Sequence, residues 1–439
     1  MVNIAIPELY NKAYSGTKVL IEEYAAQQVD AVRYVMNLEA KPRHWTGFDA
    51  QAKRDFIRGA RQGLGRSTLL FEGGSIFGLC HIGVARALYR QGLLPRVITG
   101  TATGAFVAAL LCIRRDDELE SFLNGDDFNL EAFERRRPPR RLSLSQMFAR
   151  ENGYGWFQSL FRRMVRHLNE QYFQDMMVLQ ECARAELGTL TFEEAYARTL
   201  RVLNITLAMP KRGGAPNLLN YITAPHVIIW TACIASNKSF TAKGPVRMMC
   251  KDETGQIVLW EPLLEDLDLH SWHLSRCRRK ASPLRILPQV LNVNHFIISQ
   301  ARPFLTPIFR SQIHRPGHDV PTGEWEIFQF FKTLAKVDMR HHLREYDSLR
   351  GLPNILRRIL IKEDIPGSCV ALLSDVSFWD LIKVFRKPTK ESIRSWILRG
   401  ERGVWPSIAS LKVRCLLEME LEHSYAQLTK TWDTNLLTW

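Results

Sequence analysis

The sequence predicts an α/β protein with a largely parallel central sheet and helical regions at both ends. Two observations carry that expectation. Strand, helix, strand and helix candidates follow one another between Thr68 and Ile113, and two glycine-bounded loops, Gly73 to Gly78 and Gly100 to Gly104, each leave a strand and open a helix. A third, the 46% hydrophobic content of the 439 residues, supplies a large core and excludes disordered, collagenous and disulfide-stapled classes.

The first region reads helical. From Thr17 to Asn37 apolar residues recur at Leu20, Ile21, Tyr24, Ala25, Val29, Val32 and Met36, one face of an amphipathic helix. The pattern changes after Gly63-Leu64-Gly65, where Thr68 to Phe71 is a short apolar strand followed at once by Glu72-Gly73-Gly74. Ile76, Phe77, Cys80, Val84, Ala87 and Leu88 then share a helix face that ends near Gly92, and Arg96 to Thr99 forms a second buried strand. Gly100 to Gly104 turns the chain into an apolar helix from Ala105 to Ile113. A helix crossing between two strands makes them parallel and right-handed, so this is a βαβ unit.

Further strands are expected at Leu203 to Ala208 and Asn294 to Ser299, which gives three regions: 1–66 helical, 67–300 α/β and 301–439 helical. Beyond Ala301 the strand signal fades. Ile327 to Phe331, Leu352 to Ile361 and Trp379 to Phe385 mix aromatic and aliphatic residues with Arg and Lys, as amphipathic helices at a lipid interface do; helices packed on the sheet domain give the same pattern.

The 59 Lys and Arg against 45 Asp and Glu leave a formal charge of +14, which suits nucleic acid or an anionic lipid surface. The densest basic runs, Arg135 to Arg141 and Arg276 to Lys280, sit in no recognisable nucleic-acid module, so no nucleic-acid partner is expected. No uncharged run approaches the roughly 20 residues that span a bilayer, and Met1 to Lys12 lacks the pattern of a secretory signal. Eight cysteines are scattered with no zinc spacing. The expectation is an intracellular chain with reduced thiols, peripheral to lipid, without metal or cofactor.

In an open parallel sheet the loops at the carboxyl ends of adjacent strands face one another across a crevice, and there the site belongs. Gly73-Gly74 before a helix offers unhindered amides to a phosphate or a developing oxyanion. A dinucleotide fingerprint fails, because Ser75 stands at its second glycine position and Thr99 to Thr103 holds no acidic residue. Gly100-Thr101-Ala102-Thr103-Gly104 has the strand, tight turn and helix of a G-x-S-x-G nucleophile elbow. Its middle residue is Ala102, which has no hydroxyl and forms no acyl-enzyme.

Glu72-Gly73-Gly74-Ser75-Ile76-Phe77-Gly78-Leu79-Cys80-His81-Ile82-Gly83, followed by Gly100 to Ala105, resembles the patatin-like phospholipase domain, most of all its fungal triacylglycerol lipase branch. The likeness continues through Thr223 to Trp230 and Asn292 to Gln300, and the first region resembles the family's N-terminal segment, cut short. The resemblance implies a three-layer α/β serine hydrolase with a Ser-Asp dyad and a glycine-rich oxyanion loop. Position by position, Gly73, Gly74 and Gly78 match the oxyanion loop, and Gly100 and Gly104 match the elbow. Ala102 stands at the nucleophile position, and no Asp-Gly dipeptide occurs anywhere to supply the aspartate. Glu261 to Gln289, where it belongs, holds Asp266, Asp268 and His270 instead, and the general base is unassigned. Thr101 and Thr103 flank the elbow and point away from the direction of its central side chain. His342 to Asp347 fits H-x-x-x-x-D, similar to an acyltransferase pattern of this family and also within reach of chance.

The resemblance therefore implies a lipase-family chain acting on acyl esters of triacylglycerol or phospholipid at a lipid droplet or membrane, impaired at Ala102. The alternative is a non-catalytic lipid-surface or scaffold protein that keeps the fold.

Overall fold

The computed structural model describes residues 4, 8–11, 18–39, 49–72, 78–125, 184–207, 218–237, 248–260, 283–301, 367–374 and 390–436. The first elements are helices α1 (Glu8–Asn11), α2 (Val19–Asn37) and α3 (Ala50–Leu64). Then come β1 (Arg66–Phe71), α4 (Leu79–Arg90), β2 (Val97–Gly100), α5 (Thr103–Ile113) and α6 (Asp116–Asn124). Next are α7 (Phe192–Thr199), β3 (Val202–Thr206), β4 (Leu218–Leu219), α8 (Ile229–Asn237) and a hairpin of β5 (Met249–Lys251) and β6 (Ile257–Leu259). The last are α9 (Ile286–Leu291), β7 (Val293–Gln300), β8 (Ser368–Leu373), α10 (Lys390–Val404) and α11 (Ile408–Leu436).

Among the described residues six strands form the central sheet in the order β4-β3-β2-β1-β7-β8, all parallel except β4. The expected βαβ unit is present: β1 and β2 are parallel neighbours, with Phe71 level with Gly100. On the other side of β1, Phe71 is level with Ser299 of β7. Strands buried on both faces carry near-continuous apolar sequence, and β7 accordingly buries every residue but Asn294.

Alternation along the strands sorts their side chains between two helical layers. Leu69, Phe71, Ile98, Ile205 and Ile297 join the larger core with α4, α5, α8 and α10. Leu70, Val97, Val202, Phe296 and Ile298 join the smaller one with Leu287 and Leu291 of α9. β8 departs from the sequence reading, in which strands end near residue 300. Ser368 to Leu373 is a short edge strand with its first residues exposed, so it lacks the fully apolar run that marked β1 and β7. The candidate interface segments 327–331, 352–361 and 379–385 lie outside the described residues, as do the basic runs at 135–141 and 276–280.

The late helices are bolted to the early ones at backbone contact. A Cβ on Gly83 of α4 would lie 1.8 Å from the Ile397 carbonyl oxygen of α10, and one on Gly400 would lie 1.9 Å from the Cys80 carbonyl oxygen. Arg86 of α4 pairs with Glu401 beside this crossing.

α11 packs against α2 and α3, where Val32, Ile57 and Leu421 are buried together. One face of it, Arg414, Glu418 and Glu422, grips the α3–β1 junction. Arg414 donates to the Leu64 carbonyl at 2.5 Å and to Asn294 Oδ1 at 2.7 Å. Glu418 accepts from both the Ser67 amide, at 2.7 Å, and the Ser67 hydroxyl. Glu422 pairs with Arg61 at 2.8 Å and with Arg66 at 2.9 Å. Because the Ser67 hydroxyl spends its proton on Glu418, His295 Nδ1, 2.9 Å away, donates to Ser67 Oγ. Burial pushes the Glu418 carboxyl above its usual range, while burial and then the Arg414 charge hold His295 down at about 4. This Ser-His-Glu cluster is at the amino end of β1, opposite the candidate site, and is an anchor for α11.

Candidate active site

The elbow is built where β2 ends one strand away from β1. Gly100 closes β2, and Thr101 N–H donates to the Phe71 carbonyl of β1 at 3.0 Å. Ala102 then adopts φ 51°, ψ −122°, a left-handed conformation that residues with a Cβ adopt only under strain, and α5 begins at Thr103. Both flanking glycines are sterically required. A Cβ on Gly104 would lie 2.3 Å from the Phe71 carbonyl oxygen, and one on Gly100 would lie 2.4 Å from the Ala105 Cα. The elbow thus presses directly against the end of β1. Gly78 differs, since a Cβ there would meet Thr103 at an ordinary 3.7 Å, but that distance brings the start of α4 beside the elbow.

The amide of the strained residue is held from a third element. Ala102 N–H donates to Ser236 Oγ of α8 at 3.0 Å, and the Ser236 hydroxyl donates in turn to the Thr206 carbonyl at the end of β3, 2.7 Å away. Ser236 is buried. Its proton is committed to a carbonyl, so its role here is to hold the elbow rather than to attack. Thr101 Oγ1 donates to the Phe71 carbonyl at 3.3 Å and is likewise turned inward.

At the end of β1, His81 of α4 lies fully buried, with Nδ1 2.7 Å from Ser299 Oγ and Nε2 2.6 Å from the Glu72 carbonyl oxygen. Neither His81 nor Ser236 emerged as functional from sequence. For His81 the available signal was a polar ring at a core position of an otherwise apolar helix face; for Ser236 there was none, because the contact spans 134 residues.

Gly73 and Gly74, expected from the sequence in an oxyanion loop, lie outside the described residues, as do Asp266, Asp268, His270, His342 and Asp347. Among the described residues no group of three or more His, Cys, Asp or Glu is arranged to hold a metal ion. The open groove of about 310 Å³ between Thr191, Glu193, His226, Lys251 and Asp252 is on α7 and the β5–β6 hairpin, away from the elbow.

A parallel sheet whose second strand ends in a strained, glycine-flanked turn at a helix N-terminus has the strand–turn–helix form of a nucleophile elbow, here with Ala102 at its centre. Comparison with known proteins narrows the class. Residues 69–241 match the family model Patatin-like phospholipase, and residues 1–62 match a domain of unknown function, DUF3336. Triacylglycerol lipase ptl1 of Schizosaccharomyces pombe is 33% identical over 432 residues, covering 98% of this chain and 72% of that protein. Triacylglycerol lipase 3 of Saccharomyces cerevisiae is 24% identical, covering 94% of this chain and 75% of its own length. Triacylglycerol lipase SDP1L of Arabidopsis thaliana is 28% identical over 96% of this chain, which spans 49% of the plant protein. The chain belongs to the patatin-like phospholipase family, among relatives named triacylglycerol lipases.

Proposed function

We propose that the chain engages acyl esters, of triacylglycerol or phospholipid, at the crevice between the elbow and the glycine-rich loop, and that its hydrolytic step is impaired. The observation that carries the reading is Ala102: the elbow keeps the strained backbone, the glycines and the buried Ser236 support, yet ends in a methyl group. Acyl transfer needs a nucleophile, a base and oxyanion donors in one geometry, and a group that acts as a unit is lost almost wholly when one member goes. The substrate class rests on the family and on the names of the relatives.

A second reading, a non-catalytic protein of lipid droplets or membranes, follows from the same missing hydroxyl together with the retained scaffold. Among the described residues no helix is long and apolar enough to cross a membrane. Partition of the full chain onto phosphatidylcholine-coated triolein droplets tests this lipid contact, and failure to partition sinks both readings.

Hydrolysis is tested with a p-nitrophenyl acyl ester and a fluorophosphonate probe. The unmodified chain should show no burst and no label, and Ala102→Ser alone should recover little. Strong hydrolysis by Ala102→Ser would mean that a carboxylate already serves the elbow, and the impairment would then be a single defect. Turnover by the unmodified chain that survives the double change Thr101→Ala and Thr103→Ala would place the nucleophile outside the elbow.

A further inference from the structure

We propose that Ser67, His295 and Glu418 form a reversible proton relay that keeps α11 seated on β1 when the cluster gains a proton, by reversing the direction of its hydrogen bonds. This device is independent of what the elbow binds. All three residues are buried, so none can turn to water for a partner. With Glu418 ionised, its Oε1 accepts from the Ser67 N–H at 2.7 Å and its Oε2 accepts from the Ser67 hydroxyl. His295 Nδ1–H, 2.9 Å from Ser67 Oγ, supplies the donor that the hydroxyl oxygen can still accept. The bonds therefore run one way, from ring to hydroxyl to carboxylate.

A hydroxyl donates and accepts with equal ease, so the same three heavy-atom positions serve the opposite direction. When Glu418 takes a proton on Oε2, that O–H donates to Ser67 Oγ, and the Ser67 proton turns to His295 Nδ1. The ring must then release its Nδ1 proton and take one on Nε2, and the net uptake is one proton. Oε1 still accepts from the Ser67 N–H, so no group of the cluster is left unpaired in either form, which is what a buried network needs to persist. The carboxyl is the first to protonate, because burial raises it while burial and then Arg414 hold the ring down at about 4.

The charges around the cluster are held in place. On α11, Arg414 is bonded to the Leu64 carbonyl and to Asn294, and Glu422 is paired with Arg61 of α3 and Arg66 of β1. The Cys415 thiol, pushed up to about 12 chiefly by burial, stays neutral, and Ser368 of β8, level with His295, adds no charge. The pH dependence of the grip then follows from linkage. His295 alone would favour release of α11 as the pH falls from 6.5 toward 4, because the released ring takes its proton first. Glu418 alone would favour the seated state over the acid range, because the seated carboxyl takes its proton first. One proton on each side cancels, and the grip is buffered against mild acid.

The test uses the full chain and two independent readouts. Long-range ¹H–¹⁵N correlation on histidine-labelled protein, with the His295 signals assigned through His295→Gln, reports which ring nitrogen carries the proton. Nδ1 is expected at high pH and Nε2 once Glu418 is protonated. Glu418→Gln copies the protonated carboxyl, since its amide oxygen accepts from the Ser67 N–H and its amide nitrogen donates to Ser67 Oγ; it should hold the proton on Nε2 wherever the ring is neutral. A proton that stays on Nδ1 in Glu418→Gln, or in the unmodified chain until the imidazolium forms, overturns the relay. Exchange of the Ser67 amide, taken relative to its intrinsic rate, reads the release of α11. In Glu418→Gln it should quicken roughly tenfold per pH unit below 6.5, the dependence of one uncompensated proton, and the unmodified chain should show a distinctly shallower rise. Equal slopes overturn the buffering. Should Glu418→Gln fail to fold, the tautomer titration of the unmodified chain decides by itself, a move from Nδ1 to Nε2 supporting the relay and its absence overturning it.

Discussion

Ala102→Gly should make the protein more stable. Ala102 sits at φ 51°, ψ −122°, where a Cβ collides with its own backbone and the strain is of order 1–3 kcal/mol. Removing the Cβ releases that strain and costs about 0.4–1 kcal/mol through the freer unfolded chain. The Ala102 N–H to Ser236 Oγ hydrogen bond is made by the backbone and survives the change. Ala102 is only half-buried, so little packing is lost with the methyl. The balance is a gain of about 1 kcal/mol, read as a higher urea midpoint at unchanged slope. Ala102→Ser keeps the Cβ and should move the midpoint by less than about half of that. In a nucleophile elbow such strain is the cost of presenting the reactive side chain, whereas here the residue that carries it is an alanine. A loss of 1 kcal/mol or more in Ala102→Gly would refute the reasoning, because it would mean that the methyl makes contacts worth more than the strain.

The pH dependence of stability should carry the mark of His295. Its pKa falls from 6.5 unfolded to about 4 folded, so the unfolded chain takes up the proton first; the stabilisation is complete above pH 6.5 and is lost as the pH drops toward 4. The loss is about 3 kcal/mol, and urea titrations at stepped pH should find it reduced in His295→Gln, whereas identical slopes would remove His295 from the account. Glu418 and Arg414 face the same cluster, and the raised Glu418 contributes with the opposite sign, which the paired comparison cancels. Gly400→Ala forces a Cβ to within 1.9 Å of the Cys80 carbonyl oxygen and should cost about 3 kcal/mol, while Gly59→Ala on α3, with nothing within 4 Å, should stabilise by about 0.5–1 kcal/mol. Similar effects at both glycines would mean that the α4–α10 crossing yields easily.

The βαβ unit was legible because it is local. Thr68 to Ile113 writes its strands as apolar runs, its helix as a 3.6-residue pattern and its elbow as a glycine-flanked turn, and each of these depends on near neighbours alone. The elbow glycines could be read for the same reason, since the backbone that excludes their side chains lies within β1, β2 and α5. β8 was not legible: Ser368-Cys369 begins it with exposed residues, and an edge strand needs no continuous apolar run. The α11 anchor was also hidden, because Arg414, Glu418 and Glu422 have the charge pattern of a solvated helix face until β1 is laid against it. Ser236 and Ser299 are small polar residues whose meaning arises from partners on distant elements.

The grip of α11 on the β1 junction has a consequence for the birth of the chain. Ser67 and Glu418 are separated by 351 residues, and ribosomes add roughly 5–20 residues per second, so β1 exists for roughly 20–70 s before its anchoring helix is made. Throughout that interval Ser67 lacks the carboxylate that satisfies its amide and hydroxyl, and the seam at residues 62–69 is held by the later-made Asn292 and Asn294 without the ion pairs of α11. Nascent-chain force measurements should therefore register the final compaction only after Glu422 has cleared the exit tunnel, and chaperone occupancy should concentrate on stalled chains that end before it.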